Sequence, residues 1–342
     1  MVDIIELKRD DEELLHQWYD AMRAALTDGF PYPIYLAYPS VRQAFVDPPP
    51  HSHRRLLAAV EADHVVGGVE IVLETEVNRR RAELELGVVP TSRRRGIGGR
   101  LFDAAVRVCE EEGRSLYGSE LTVPADAAET AGALKFARDR GFRAVHREDH
   151  LVLSVPIDDD RLTELTTAAA TGRNAYGIRI WTDRCPDDLV PAFLRLREQM
   201  DSDVPIGDIT LEYRAWTEER LRSSEERLAR NYDAITAAAE HRASGELVGY
   251  SYLLVPREQP EILWQDDTLV MPEHRGHRLG LALKLATYEK LRHDHPNRSV
   301  VHTWTEPNNA AMLRTNRQFG YRNADLMVEV ERDDQPKSGD QD

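Results

Sequence analysis

Val88-Val89-Pro90-Thr91-Ser92-Arg93-Arg94-Arg95-Gly96-Ile97-Gly98 and Val270-Met271-Pro272-Glu273-His274-Arg275-Gly276-His277-Arg278-Leu279-Gly280 are one motif written twice. Valine opens both runs; proline stands two residues on, arginine five and glycine ten. A Gly-aromatic-Arg triplet follows each, 43 residues after Gly98 at Gly141-Phe142-Arg143 and 40 after Gly280 at Gly320-Tyr321-Arg322. Two matching offsets mark an internal duplication. The length of 342 residues, more than one core commonly organises, agrees with two units.

Working outward from the loops, the same order of elements appears in each half. Leu56 to Val60, Val65 to Leu73 and Ala82 to Val89 read as strands, as do Asp233 to Glu240, Leu247 to Val255 and Ile262 to Val270. Helical spacing then takes over, with Leu101, Ala105, Val108 and Cys109 in one half and Leu281, Leu285 and Tyr288 in the other. A further strand (Ser115 to Val123; Ser299 to Thr305), a short helix (Ala127 to Arg140; Asn308 to Gln318) and closing strands complete each half. The expected class is therefore mixed α/β (α+β) in two tandem domains, 1–155 and 177–332. Between them 156–176 reads as a linker with a possible helical turn at Leu162 and Leu165, and 333–342 as a disordered polar tail.

Composition narrows the function. A formal net charge of -16 opposes phosphate polymers, so nucleic acid is not an expected partner and a cationic acceptor is mildly favoured. Two cysteines, Cys109 and Cys185, are too few for a disulfide framework or a clustered metal site. No apolar run reaches the roughly 20 residues that span a bilayer, and Met1 to Asp11 does not read as a signal peptide, so a cytoplasmic location without membrane partners is expected.

A strand that ends at Val-x-Pro and passes through arginine and glycine into a helix turns unpaired main-chain N–H groups outward. First-turn donors have no partner inside the helix, and the helix dipole adds partial positive charge, so the junction suits a diphosphate. One such loop would equally suit a plain helix cap on a solvated face; its recurrence in the same setting favours the phosphate reading.

Arg93-Arg94-Arg95-Gly96-Ile97-Gly98 resembles the acetyl-CoA motif of GNAT-superfamily N-acetyltransferases, Arg/Gln-x-x-Gly-x-Gly/Ala after a V-x-P strand end. Arg275 to Gly280 matches it except that Arg278 replaces the first motif glycine, a change expected to reshape that loop. Trp304 to Met312, with Asn316 and Phe319-Gly320-Tyr321, resembles the family's Asn-x-x-Ala helix; the first half keeps Ala133 to Phe136 and Gly141-Phe142-Arg143 without the asparagine. The duplicated arrangement is similar to tandem acetyltransferases such as mycothiol synthase, a likeness of architecture that transfers no substrate.

The resemblance implies two GNAT-like domains, each a mixed, mostly antiparallel sheet with flanking helices and splayed central strands. It implies acetyl-CoA as cofactor, held by Val88, Val89, Arg93, Arg94, Arg95, Gly96, Ile97, Gly98 and Gly99, and by Leu269, Val270, Met271, Arg275, Gly276, His277, Arg278, Leu279, Gly280, Asn308 and Asn316. Backbone N–H groups near Val88-Val89 and Val270-Met271 would orient the acyl carbonyl, and a primary amine of a small molecule would attack the thioester directly.

A strand carboxylate is the expected base: Glu83 and Glu85 share one face of the first half's strand, and Asp267 takes that role in the second, with Asp266 on the opposite face. The same acids would also suit the solvated face of an edge strand. The tyrosine with which relatives reprotonate the thiolate is absent, since its positions hold Ala137 and Asn316. His274 and His277 read as solvated or phosphate-contacting, and Trp264 and Trp304 as lining the splayed strands or filling the core. The first half has the better loop and the second the better helix; the second is favoured as catalytic. A peptide or protein N-acyltransferase and a CoA-binding regulatory protein without turnover remain as alternatives.

Overall fold

The computed structural model describes residues 1–126, 128–203 and 207–335. Of the tail expected over 333–342, residues 336–342 lie outside the described residues, as does Ala127 at the expected start of a helix.

In chain order the strands and helices are β1 (Val2–Glu6), α1 (Glu12–Leu26), α2 (Tyr38–Val46), β2 (Ser52–Glu61), β3 (His64–Glu74), β4 (Arg81–Val88), α3 (Ile97–Glu111), β5 (Leu116–Val123), α4 (Gly132–Arg138), β6 (Arg143–Ser154), α5 (Asp159–Ala170), β7 (Tyr176–Thr182), α6 (Val190–Asp203), α7 (Glu218–Leu228), β8 (Tyr232–His241), β9 (Glu246–Pro256), β10 (Leu263–Val270), α8 (Leu279–Asp294), β11 (Val300–Thr305), α9 (Ala310–Phe319) and β12 (Arg322–Asp333).

The chain folds into two compact units that a single cut does not separate. Unit 1 takes residues 1–147, a segment near 206–212 and the chain from 325; unit 2 takes 148–205 and 213–324. Closing strands are exchanged: Leu326 to Asp333 of β12 pair antiparallel with β5 in unit 1, and Asp149 to Ser154 of β6 pair antiparallel with β11 in unit 2. The sequence repeat marks where the halves begin, while the sheets close with each other's strands. The expected linker is also part of a core. Asp158 caps α5 by accepting from Arg161 N–H at 2.9 Å, and Ile157, Leu165 and Ala169 pack with α8 and α9.

In unit 1 one sheet face receives α3 and the other α1. Ile71, Leu73, Ala82 and Leu84 meet Leu101 and Ala105 on the first face. On the second, Trp18 approaches so closely that a β-carbon at Gly68 would stand 2.3 Å from its indole nitrogen, which donates to Leu57 O at 3.0 Å. Unit 2 repeats the layers: α8 lies on one face and α6 and α7 on the other, over Ala238, Tyr250 and Leu269. Period-two alternation of the strands delivers these opposite faces.

Two features position the site. The parallel ladder of β4 and β5 runs only from Arg81↔Leu116 to Glu83↔Gly118, and that of β10 and β11 only from Leu263↔Val301 to Trp264↔His302. Beyond those pairs the strands part, leaving a gap in each sheet. In β10 the register with β9 also slips between Gln265 and Thr268, a bulge that inserts one residue.

Candidate active site

Each gap opens at the foot of its arginine-glycine loop. Val89 N–H donates to Val66 O at 3.0 Å and Met271 N–H to Val248 O at 2.9 Å, so both are spent on the neighbouring strand. Alternation of the antiparallel ladder then turns the Val88 and Val270 N–H groups toward the gaps. Of each main-chain pair expected to face an acyl carbonyl, one member is thus spent on the neighbouring strand and the other turns toward the gap.

The loops share a backbone although their glycines differ. Positive φ falls at Arg94 (63°) and Gly96 (79°) in the first, and at Gly276 (87°) and Arg278 (56°) in the second. Glycine and arginine have traded the two left-handed positions. Arg278 therefore does not reshape its loop; it takes the φ that Gly96 takes, at the ~1–2 kcal/mol cost of a side chain in that region. Neither α3 nor α8 has a side-chain cap at its N-terminus, so the first-turn N–H groups around Ile97, Gly98 and Gly99, and around Leu279 and Gly280, are left for an anion.

The arginines are not equivalent to one another. Arg93 Nε donates to Val88 O at 3.0 Å and its other nitrogens reach Ala25 O and Asp28; Arg275 Nε donates to Val270 O at 3.1 Å and Nη2 reaches Asp203 at 2.7 Å. Both tie the strand end to the C-terminal end of a helix, α1 for Arg93 and α6 for Arg275. Arg95 pairs with Glu61, while Arg94 and Arg278 are exposed. His277 lies 5.5 Å from the Tyr176 ring, and His274 Nδ1 stands 3.0 Å from Tyr176 Oη, bracing the second loop.

The space beside the helices differs more. In unit 1 Phe136 of α4 leans on the first turn of α3: a β-carbon at Gly98 would come 3.2 Å from its ring, and one at Gly99 would come 2.9 Å from Arg140 Nη2. Arg140 in turn covers Phe136 at 3.6 Å. In unit 2 a β-carbon at Gly280 meets nothing within 4 Å among the described residues. Asn316 of α9 is fully buried; its Nδ2 donates to Thr305 Oγ1 at 3.0 Å and its Oδ1 has no partner among the described residues. Asn308 is exposed, and the adjacent Asn309 is the residue that caps α9, accepting from Met312 N–H at 3.0 Å.

The family model described as the acetyltransferase (GNAT) family matches residues 15–143 and 203–321, once in each half. The chain belongs to the GNAT acetyltransferase family. A mycothiol acetyltransferase from Sanguibacter keddieii is 27% identical over 262 residues, 73% of this chain and 74% of that protein. A tandem GNAT protein from the clavulanic acid biosynthesis pathway has the same fold, with a TM-score of 0.82 and 24% identity over 99% of this chain and 100% of that one. A GCN5-related N-acetyltransferase from Sphaerobacter thermophilus superposes at a TM-score of 0.67, 16% identical over 98% and 96%. The chain is thus an acyltransferase of the tandem GNAT type.

The carboxylates then sort by environment. Glu83 is tied to Arg81, which also pairs with the buried Glu331 of β12. Glu85 stands directly opposite Glu70 with an exposed face, and desolvation by the surrounding chain, then Glu70 and Glu120, push its carboxyl up to about 8. In unit 2 Asp267 is paired with Arg197 and accepts from Tyr250 Oη at 2.9 Å, so two donors engage its carboxylate oxygens. Asp266 is the residue sequence reasoning put on the wrong face. The bulge brings it beside Asp267 within the field of Arg197; the residue keeps an exposed face, and partial desolvation by the surrounding chain, followed by the Asp267 charge, pushes its carboxyl up to about 7, against the pull of Arg197.

Arg197 lies 4.5 Å over the Trp216 ring, which helps fix the guanidinium. On the same side β11 and β6 bring a buried stack: His302 Nδ1 is 2.9 Å from His150 Nε2, and Trp304 stacks on His150 at 5.0 Å. Burial and then His150 hold His302 neutral, down to about 3. Trp304 accordingly lines the parting strands, one of the two places open to it from sequence.

Proposed function

We propose that unit 2 transfers the acetyl group of acetyl-CoA to a primary amine of a small molecule. The residues present fit the cofactor. Uncapped first-turn N–H groups of α8 would hold its diphosphate, the open space at Gly280 admits the arm, and the orphaned Asn316 Oδ1 supplies an acceptor for an amide N–H. When bound, acetyl-CoA supplies an activated acyl carbonyl on a thiol leaving group.

The chain's own groups do the rest. Val270 N–H donates toward the acyl oxygen. Asp266 removes the proton of the acceptor ammonium, and Asp267, engaged by Arg197 and Tyr250, holds the strand and keeps the second charge that lifts its neighbour. The observation that carries this reading is a strand carboxyl near neutrality at an open cofactor passage, a combination present in unit 2. In unit 1 Glu85 has the carboxyl while Phe136 and Arg140 crowd the helix start. The name of the Sanguibacter keddieii relative, a mycothiol acetyltransferase, supports a small-molecule acceptor.

Thiol release from acetyl-CoA across a panel of small amines tests the reading. Asp266→Asn is expected to lower kcat by about 10² to 10³. A base acts when ionised, so wild-type rates fall as pH drops through about 7, and this limb disappears in the variant. Glu85→Gln is expected to leave turnover within about twofold. Loss of activity in Glu85→Gln with full activity in Asp266→Asn would reverse the assignment.

A further inference from the structure

Direct attack of an amine on a thioester releases a thiolate, and sulfur of ordinary basicity, with a pKa near 8.5, needs a proton. The position from which relatives supply it holds Asn316, whose amide is no acid. Among the described residues of unit 2, Lys284 is a side chain of the right chemistry that the transfer step has not used.

Lys284 is 2% exposed in a helix that is otherwise apolar around it, from Leu281 to Leu285. Its Nζ has no hydrogen bond and no carboxylate partner among the described residues; the Tyr321 ring stands 5.4 Å from Nζ. An ammonium is almost never buried unpaired, because its desolvation is not repaid. Burial alone accordingly lowers this lysine to about 7.

Its place along the sheet is fixed by its neighbour one turn on. Thr287 Oγ1 lies 3.5 Å from Gln265 Oε1, just before the bulge. Lys284, a turn nearer the N-terminus of α8, comes level with residues 266 to 268, where β10 has parted from β11. Gly280, a turn earlier still, faces the open space of the cofactor passage. Tyr321 is the titratable group against Lys284, and burial raises that phenol far above neutrality. Gln265, Ser251, Thr305 and Asn316, the other polar groups of this layer, carry no charge.

We propose that Lys284 Nζ is the acid that protonates the CoA sulfur, reached through the gap between β10 and β11 from the α8 side. The inference rests on the reading of unit 2 as the transferase. As the amide C–N bond forms and the thioester C–S bond breaks, the electron pair leaves on sulfur and the Lys284 proton joins it. The Lys284 ammonium becomes a neutral amine and regains its proton from solvent; of the two protons the acceptor ammonium gives up, the first goes to Asp266 before attack and the second, shed by the acylated nitrogen as the C–S bond breaks, goes to solvent.

An acid must be protonated to act, so kcat is expected to fall as pH rises through about 7. With Asp266 this gives a bell. Lys284→Met is expected to lower kcat about 10²-fold and to abolish the alkaline limb while keeping the acid one. A second readout does not depend on turnover. If the ammonium donates to sulfur, CoA binding near pH 7 draws up to about half a proton into the wild-type protein, seen by calorimetry in buffers of different ionisation heat. Desulfo-CoA and Lys284→Met should show none of this uptake. Equal uptake with CoA and desulfo-CoA in the wild type, or an unchanged alkaline limb in a folded Lys284→Met, would overturn the role. If no amine supports turnover, the reading of unit 2 as the transferase fails, and the two calorimetric titrations still decide on the lysine.

Discussion

Units 1 and 2 carry the same loop on the same strand-to-helix junction, and they diverge in what surrounds it. The first loop keeps Gly96 where the second has Arg278, yet the second keeps Gly276 where the first has Arg94, and the backbone is left-handed at all four positions. Motif quality read by matching letters is therefore misleading, because each loop has one glycine and one strained arginine. The difference that matters lies beyond the loop. Phe136 and Arg140 press on the start of α3, whereas nothing presses on Gly280. The bulge in β10 adds Asp266, a residue with no counterpart in β4. Along the closing strands, unit 1 opposes Glu120 and Glu329, while unit 2 opposes Trp304 and His150.

The largest effect tests how unit 1 is closed by its borrowed strand. Arg81, with a side chain 7% exposed, joins Glu83 on β4 to Glu331, 2% exposed, on β12, and Glu331 also accepts from Thr210 N–H at 2.8 Å. Arg81→Met strands a buried carboxylate and should cost about 3–5 kcal/mol in chemical denaturation. Unit 2 has a bond between His150 and His302, with no Arg81–Glu331 counterpart among the described residues, at the corresponding closure, so its unfolding should be little changed. A loss confined to unit 2 would show the fastening misassigned.

Next in size is the passage itself. Gly280→Leu introduces a side chain into empty space at a helical φ, so thermal stability should hold while thiol release falls by about 10²-fold or more through misplacement of the reacting groups. Retained turnover with a leucine at 280 would remove the distinction between an open and a crowded helix start. Arg278→Gly is the smallest change. It relieves left-handed strain and should stabilise unit 2 by up to about 1 kcal/mol with the loop backbone unaltered. A destabilised variant would mean that the exposed arginine holds more than its weak 3.5 Å contact to Ala168 O.

Much of this was legible in the sequence. Repeated Val-x-Pro, arginine and glycine offsets located both loops, and alternation placed β2 to β4 and β8 to β10 within a residue or so, apart from the N-terminal start of β2, which begins at Ser52. Strand exchange was not legible, because β6 and β12 have similar apolar patterns and nothing local says which sheet each will join. The placement of Asp266 beside Asp267 was hidden by the bulge: strict period-two counting puts adjacent aspartates on opposite faces, and an inserted residue breaks the count. The partners of Asp267 were not legible either, since Arg197 and Tyr250 lie 70 and 17 residues away. Lys284 did leave a trace, as a lone lysine inside Leu-Ala-Leu-Lys-Leu-Ala, which a reading for helix period alone passes over.

Amide hydrogen exchange of the two loops with and without CoA tests most directly which half holds the cofactor. Protection is expected across residues 276–282, where the α8 donors take the diphosphate, with residues 94–100 changing less. Protection confined to 94–100, with 276–282 exchanging as in the free protein, would contradict the assignment of transfer to unit 2.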